Sequence, residues 1–210
     1  MITALTINFN TPDLLETLLA SFRRYYDIPF FVVDGSSPDE YEKILSFSDR
    51  FKIEIHHFNN NVHHGGGMAY GIKQIKTEQI LLIDSDIRIL RGGFLDDLQG
   101  KLRIGNYGIG DVSTIDRDGV SQLKGIKYLH PSFTLINREV ALKYPLPIKH
   151  GAPMIDTMKY IHSRGLNILQ HESWINNDLE NSYFKKYQSC KYFIHLWNGT
   201  RAKIEGITLW

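Results

Sequence analysis

Asp84 and Asp86 stand one residue apart, directly after the apolar run Ile80-Leu81-Leu82-Ile83. Two carboxylates in that spacing reach one hard cation only where the chain leaves the strict alternation of a sheet, as it does at a strand end. Mg²⁺ and Mn²⁺ favour such oxygen ligands in company with phosphate oxygens. An Asp-x-Asp pair alone is common in exposed turns, so its position carries the weight. Asp34, after the apolar Phe30 to Val33, is an acceptor suited to a base N–H or a hydroxyl, and equally a turn former. Gly65-Gly66-Gly67 either lets a ligand approach the backbone closely or relaxes a loop. His63 and His64, just before it, are placed to contact an anion.

These groups need a scaffold that brings them together. The first half of the chain alternates apolar runs with amphipathic segments at a steady interval, the pattern of βα units on a mostly parallel sheet. Ile2 to Phe9 predicts a buried strand. Thr11 and Pro12 then start a helix carrying Leu14, Leu15, Leu18, Leu19 and Phe22 at helical spacing. Phe30 to Val33 predicts a second strand, and Ser37, Pro38 and Glu40 a second helix start with a capping box. Phe51 to His57 predicts a third strand, Asn59 to Gly67 a loop, Met68 to Ile75 a short helix, and Gln79 to Ile83 a fourth strand. Open α/β sheets bind ligands outside the carboxyl ends of their strands, so Asn10, Asp34, the glycine loop and Asp84 should share one edge. Beyond Gly93 the rhythm weakens, leaving a strand at Phe133 to Ile136, a helix near Met154 to Arg164 and a strand at Leu166 to Leu169.

The 210 residues, 42% hydrophobic, suffice for one well-buried core. Lys plus Arg number 24 against 23 Asp plus Glu, so the net charge of +1 supplies no global field for gathering nucleic acid or anionic lipid. The single cysteine, Cys190, excludes an internal disulfide framework and any multi-cysteine zinc site, and fits a reducing cytoplasm. No apolar run approaches the ~18 residues that span a bilayer.

Taken in order, Asn8-Phe9-Asn10-Thr11-Pro12, Val32-Val33-Asp34-Gly35-Ser36-Ser37, the Asn-then-Gly-rich Asn59 to Gly71, and Leu82-Ile83-Asp84-Ser85-Asp86 resemble the family 2 glycosyltransferases of the GT-A fold. The match is good over roughly the first 90 residues and looser to about residue 172. The resemblance implies an α/β GT-A fold with a mostly parallel central sheet flanked by helices. It divides the chain into a domain of residues 1–182, with a nucleotide-binding half (1–90) and an acceptor half (91–182), followed by an aromatic and basic appendage of residues 183–210. It also implies donor contacts from Asn8, Asn10, Asp34, Gly66, Asp84 and Ser85, a Mn²⁺ or Mg²⁺ ion on Asp84 and Asp86, and His171 completing the metal shell. Family members carry an acidic pair ahead of a helix, a Gly and a strand. Here Asp156 falls near the second acid and Met154 in the place of the first, so Asp156 is the expected general base, with Glu172 and Asp178 in reserve.

The activity so implied is metal-dependent, inverting transfer of a glycosyl unit from a nucleotide sugar, uridine favoured, to an acceptor with a free hydroxyl. The acceptor class stays open: glycan, lipid-linked sugar, protein or a hydroxylated nucleobase. Two other functions compete. A nucleotidyltransferase making the nucleotide sugar would show a basic, glycine-rich loop after the first strand, which Asn8 to Pro12 lacks. A non-catalytic nucleotide- or sugar-binding module is the third. The tail from Tyr183 interleaves rings and lysines, either as an acceptor or membrane contact or as amphipathic packing on the core.

Overall fold

The computed structural model describes residues 1–175, 179–181 and 186–197. The reserve acid Asp178 with residues 176, 177 and 182, and the tail residues 183–185 and 198–210, lie outside the described residues.

Strand β1 (Ile2–Asn8) is buried along almost its whole length, Thr3, Thr6 and Asn8 included, as a central strand covered on both faces must be. Helix α1 (Pro12–Arg23) follows, with Leu14, Leu15, Leu18, Leu19 and Phe22 on its buried face. Then come β2 (Phe30–Asp34), α2 (Pro38–Leu45), a short α3 (Phe47–Phe51) and β3 (Glu54–His57). Thr11 and Ser37 occupy the expected N-cap positions, yet neither side chain caps its helix. The Thr11 hydroxyl donates instead to Asn8 Oδ1 at 2.8 Å, three residues back at the end of β1.

The glycine run differs from its expectation. Helix α4 spans His63–Gln74, so Gly65, Gly66 and Gly67 lie in its first turns and not in a loop. Glycine is a poor helix former, but close packing demands it here. A Cβ on Gly67 would sit 2.8 Å from Ile7 of β1, and one on Gly65 2.5 Å from the backbone of Ile148 and Lys149.

Strand β4 (Gln79–Ile83) falls where the sequence places it, followed by β5 (Ile87–Ile89) and α5 (Phe94–Lys101). The weak second half holds β6 (Gly108–Ile115), a long β7 (Ile126–Asn137), α6 (Arg138–Ala141), α7 (Ile155–Ser163) and β8 (Leu169–His171). Three short strands close the chain: β9 (Leu179–Asn181), β10 (Lys186–Ser189) and β11 (Phe193–Trp197).

The main sheet has the order β3-β2-β1-β4-β7-β6-β8. β1 to β4 run parallel, and β7 is antiparallel to both β4 and β6. One face is covered by a core that includes Leu18, Phe22, Phe94 and Phe193, the other by one that includes Met68, Ile72, Met158 and Ile161. Ile83 pairs with Phe133, so residues 126–130 of β7 and their partners on β6 overhang the carboxyl edge as a two-stranded ribbon. A second sheet, β5-β11-β10-β9, is antiparallel and sits at that same edge. The stretch expected as an appendage is tied into the fold over its described part: β11 pairs with β5, and Phe193 is fully buried in the core. No helix among the described residues is long and apolar enough to cross a membrane.

Candidate active site

The carboxyl end of β4 releases Asp84, Ser85 and Asp86 into a turn before β5, and the Asp84 N–H is fixed on the Ser132 carbonyl at 2.9 Å. Strand β11 runs back along β5 with His195 opposite Ile87, and the Leu196 N–H donates to the Asp86 carbonyl. That pairing aims His195 at both acids: its Nε2 lies 3.1 Å from Asp86 Oδ1 and 3.5 Å from Asp84 Oδ2. Ligand atoms of Asp84, Asp86 and His195 all lie within 4.8 Å of one another.

His64, from the first turn of α4, approaches from the other side, with Nε2 3.3 Å from Asp84 Oδ1. Burial opposes ionisation of Asp84, but the His64 charge and the hydrogen bonds of His195 and His64 outweigh it and hold its carboxyl well below the usual range. Burial likewise works against a charge on His195. The Asp86 charge and the bonds to Asp84 and Asp86 prevail, and its pKa is pushed up to about 10. His64 is raised in the same way, burial being outweighed by the Asp84 charge and hydrogen bond. The pocket thus holds positive charge between two carboxylates. An Asp-Asp-His donor set is one that Mn²⁺ accepts readily, whereas Mg²⁺ prefers oxygen and water.

His171, expected to complete this shell, is placed elsewhere. It ends β8, which pairs with β6, and its Nδ1 accepts the Val112 N–H at 3.2 Å. Three strand spacings, about 14 Å, separate β8 from β4 in the sheet. The imidazole that reaches both acids is His195, with His64 on Asp84 alone.

Of the expected donor contacts, Asp84, Ser85, Asn10 and Gly66 reach the carboxyl edge with some exposure. A Cβ on Gly66 would meet only Val62, at 3.9 Å, so this face of α4 is open. The His63 N–H goes to Asn61 Oδ1 and that of Gly65 to the Lys149 carbonyl. Among the described residues, those of His64 and Gly66 have no partner outside the helix. Asn10 adopts φ 56° and accepts the Ser37 N–H on its side chain. Asn8 and Asp34 differ from expectation: they are 1% and 0% exposed, and they bond each other beneath the edge.

Asp156 lies in the first turn of α7, its side chain 35% exposed, between Lys149 and Lys159 at 3.7 and 3.8 Å. The loop before α7 reaches α4 through the Gly65 to Lys149 bond, and the rings of His63 and His150 stand 5.9 Å apart. The reserve acid Glu172 is buried and spoken for by the Lys101 ammonium at 2.6 Å. On the overhanging ribbon His130 bonds Ser113 Oγ at 2.8 Å; burial lowers its pKa against the charges of Asp111 and Asp84.

The family model for glycosyl transferase family 2 matches residues 3–158. No curated protein matches the chain in sequence. Among solved structures, the mannosyltransferase PcManGT from Pyrobaculum calidifontis, in complex with GDP-Man and Mn²⁺, superposes with TM-score 0.62 at 13% identity, over 82% of this chain and 56% of that one. S. aureus TarS 1-349 in complex with UDP-GlcNAc gives 0.59 at 14%, over 91% and 57%. Mannosyl-3-phosphoglycerate synthase from Rubrobacter xylanophilus gives 0.55 at 15%, over 81% and 64%. The chain therefore spans between half and two thirds of the length of these proteins. At such identities the likeness is one of fold, the GT-A fold.

Proposed function

The chain belongs to glycosyl transferase family 2, and from that membership we propose that it transfers a glycosyl unit from a nucleoside diphosphate sugar to an acceptor hydroxyl with inversion. The observation that carries the reading is the meeting of Asp84, Asp86 and His195 at the end of β4. Those three residues would hold a divalent cation, Mn²⁺ in preference to Mg²⁺; once bound, it supplies the positive charge that offsets the leaving diphosphate. The mannosyltransferase neighbour, in complex with GDP-Man and Mn²⁺, supports that pairing of metal and donor.

The chain's own groups supply the remaining chemistry. The open N–H groups of His64 and Gly66 at the start of α4 suit a phosphate oxygen, since a helix N-terminus presents donors and the positive end of its dipole. His64 holds one end of Asp84 and adds positive charge on the donor side. Asp156 would take the acceptor proton. It remains partly exposed at the start of α7, as a base that must reach an acceptor has to be. The ribbon of β6 and β7 and the loop before α7 would frame the acceptor.

Calorimetry with UDP and GDP tests this directly. Binding should require Mn²⁺, vanish with EDTA, and weaken by more than about tenfold in Asp86→Ala, because the diphosphate would otherwise face uncompensated carboxylates. Equal affinity under all three conditions would remove the metal from the donor site.

A further inference from the structure

We propose that His57 reads the nucleoside base of the donor, and that it selects bases presenting a ring N–H on their pairing edge, uracil or guanine, over cytosine and adenine. The proposal rests on the nucleotide-sugar reading above and adds a specificity determinant to it.

Asn8, Asp34 and His57 occupy register-paired positions at the carboxyl ends of β1, β2 and β3, so their side chains form one row on one face of the sheet. Asp34, in the middle, is wholly occupied by the protein. Its Oδ1 accepts from Asn8 Nδ2 and from the Ser36 hydroxyl, both at 2.7 Å. Its Oδ2 accepts from the Ser36 N–H at 3.1 Å and from His57 Nδ1 at 2.8 Å. A carboxylate offers about four lone-pair sites, and here all four are filled with no exposed surface left. A donor base has nothing to take from Asp34.

What Asp34 does is fix His57. A carboxylate only accepts, so Nδ1 carries the hydrogen, and in the neutral imidazole Nε2 is then an acceptor. The ring of Tyr41, from α2, lies over the His57 face at 3.7 Å and 12°, so that face is not available for stacking a base. The Nδ1 side of the ring is held by Asp34, and the His57 side chain keeps 15% exposure at the strand end. Among the described residues no group bonds its Nε2. An acceptor held in that tautomer pairs with N3–H of uracil or N1–H of guanine. The same position in cytosine or adenine is a bare ring nitrogen, whose lone pair would oppose that of Nε2.

The test uses the full chain with Mn²⁺ and calorimetry of UDP, GDP, CDP, ADP and pyrophosphate. UDP or GDP should bind at least about tenfold more tightly than both CDP and ADP, the worth of one hydrogen bond plus the avoided repulsion. Methylating the ring N–H of the preferred nucleotide should erase that advantage on the unaltered protein. His57→Asn keeps a donor toward Asp34 but lacks the far nitrogen; it should bring the preference close to one and leave pyrophosphate affinity unchanged. CDP or ADP binding as tightly as UDP and GDP, tolerance of the methyl group, or a preference undiminished in His57→Asn would each overturn the assignment while leaving the donor site standing. If neither pyrophosphate nor any nucleotide binds with Mn²⁺, the donor reading falls and this one with it.

Discussion

A cation that settles on Asp84, Asp86 and His195 must first displace a proton. In the metal-free chain the two carboxylates overcome burial and carry His195 from the ordinary 6.5 up to about 10. The sign follows from linkage. A raised histidine stabilises the fold in full below the ordinary value, and that contribution is lost as the pH climbs through about 10. Asp84 is depressed, so its contribution is present above the ordinary 3.8 and is lost only as the pH falls below the usual carboxylate range. Between these limits the imidazolium occupies the place a cation needs. Binding Mn²⁺ should therefore release about one proton, and the apparent affinity should rise about tenfold per pH unit up to the folded pKa. At pH 7.5 the competition weakens the metal by a factor on the order of 300, whereas a histidine of ordinary pKa would cost it almost nothing. Mn²⁺ titrations followed by electron paramagnetic resonance at pH 6.5, 7.5 and 8.5 would read the slope, and calorimetry in buffers of different ionisation heat would count the proton. His195→Gln should flatten the slope while the two acids remain. An affinity that stops rising above pH 7 would mean that the two carboxylates do not hold the proton on His195.

Other outcomes follow from the same geometry. Asp156→Asn should preserve donor affinity and lower turnover by about 100-fold, the lower range for a removed base; near-normal turnover, or product of retained configuration, would take the base role from it. Gly65→Ala forces a methyl against the backbone of Ile148 and Lys149 and should cost about 1–3 kcal/mol in denaturant unfolding. Gly66→Ala, with open space around it and a helical backbone, should instead stabilise by about 0.4–1 kcal/mol, and equal effects of the two would deny the close approach of α4. Removing residues 183–210 takes away buried Phe193 and Leu196 together with His195, so both stability and Mn²⁺ affinity should fall. A truncated chain that binds Mn²⁺ like the intact one would exclude His195 as a ligand.

The acids at the end of β4 are legible in the sequence because everything that places them is local: an apolar run long enough for a buried strand, then two carboxylates where the pleat ends. The glycines are harder. Glycine's helix propensity is a property of the residue, but the 2.8 Å that a Gly67 Cβ would leave to Ile7 is a property of the packed pair, and only the fold reveals that α4 must approach β1 so closely. Asp34 is legible as a strand-end acceptor, yet a sequence cannot show that Asn8, Ser36 and His57 converge to fill it. The third metal ligand shows the limit most sharply. Local order favours His171, the histidine just beyond a strand near the family's expected position. The histidine at the acids is instead chosen by β11 pairing antiparallel with a three-residue strand laid down more than half the chain earlier. The run Phe193-Ile194-His195-Leu196-Trp197 is compatible with a strand, with Phe193, His195 and Leu196 buried and Ile194 less so. It does not say which edge that strand will join. Joining β5 is what turns His195 toward Asp84 and Asp86, and a one-residue slip in that register would turn its imidazole to the opposite face of the strand and empty the site of its third ligand.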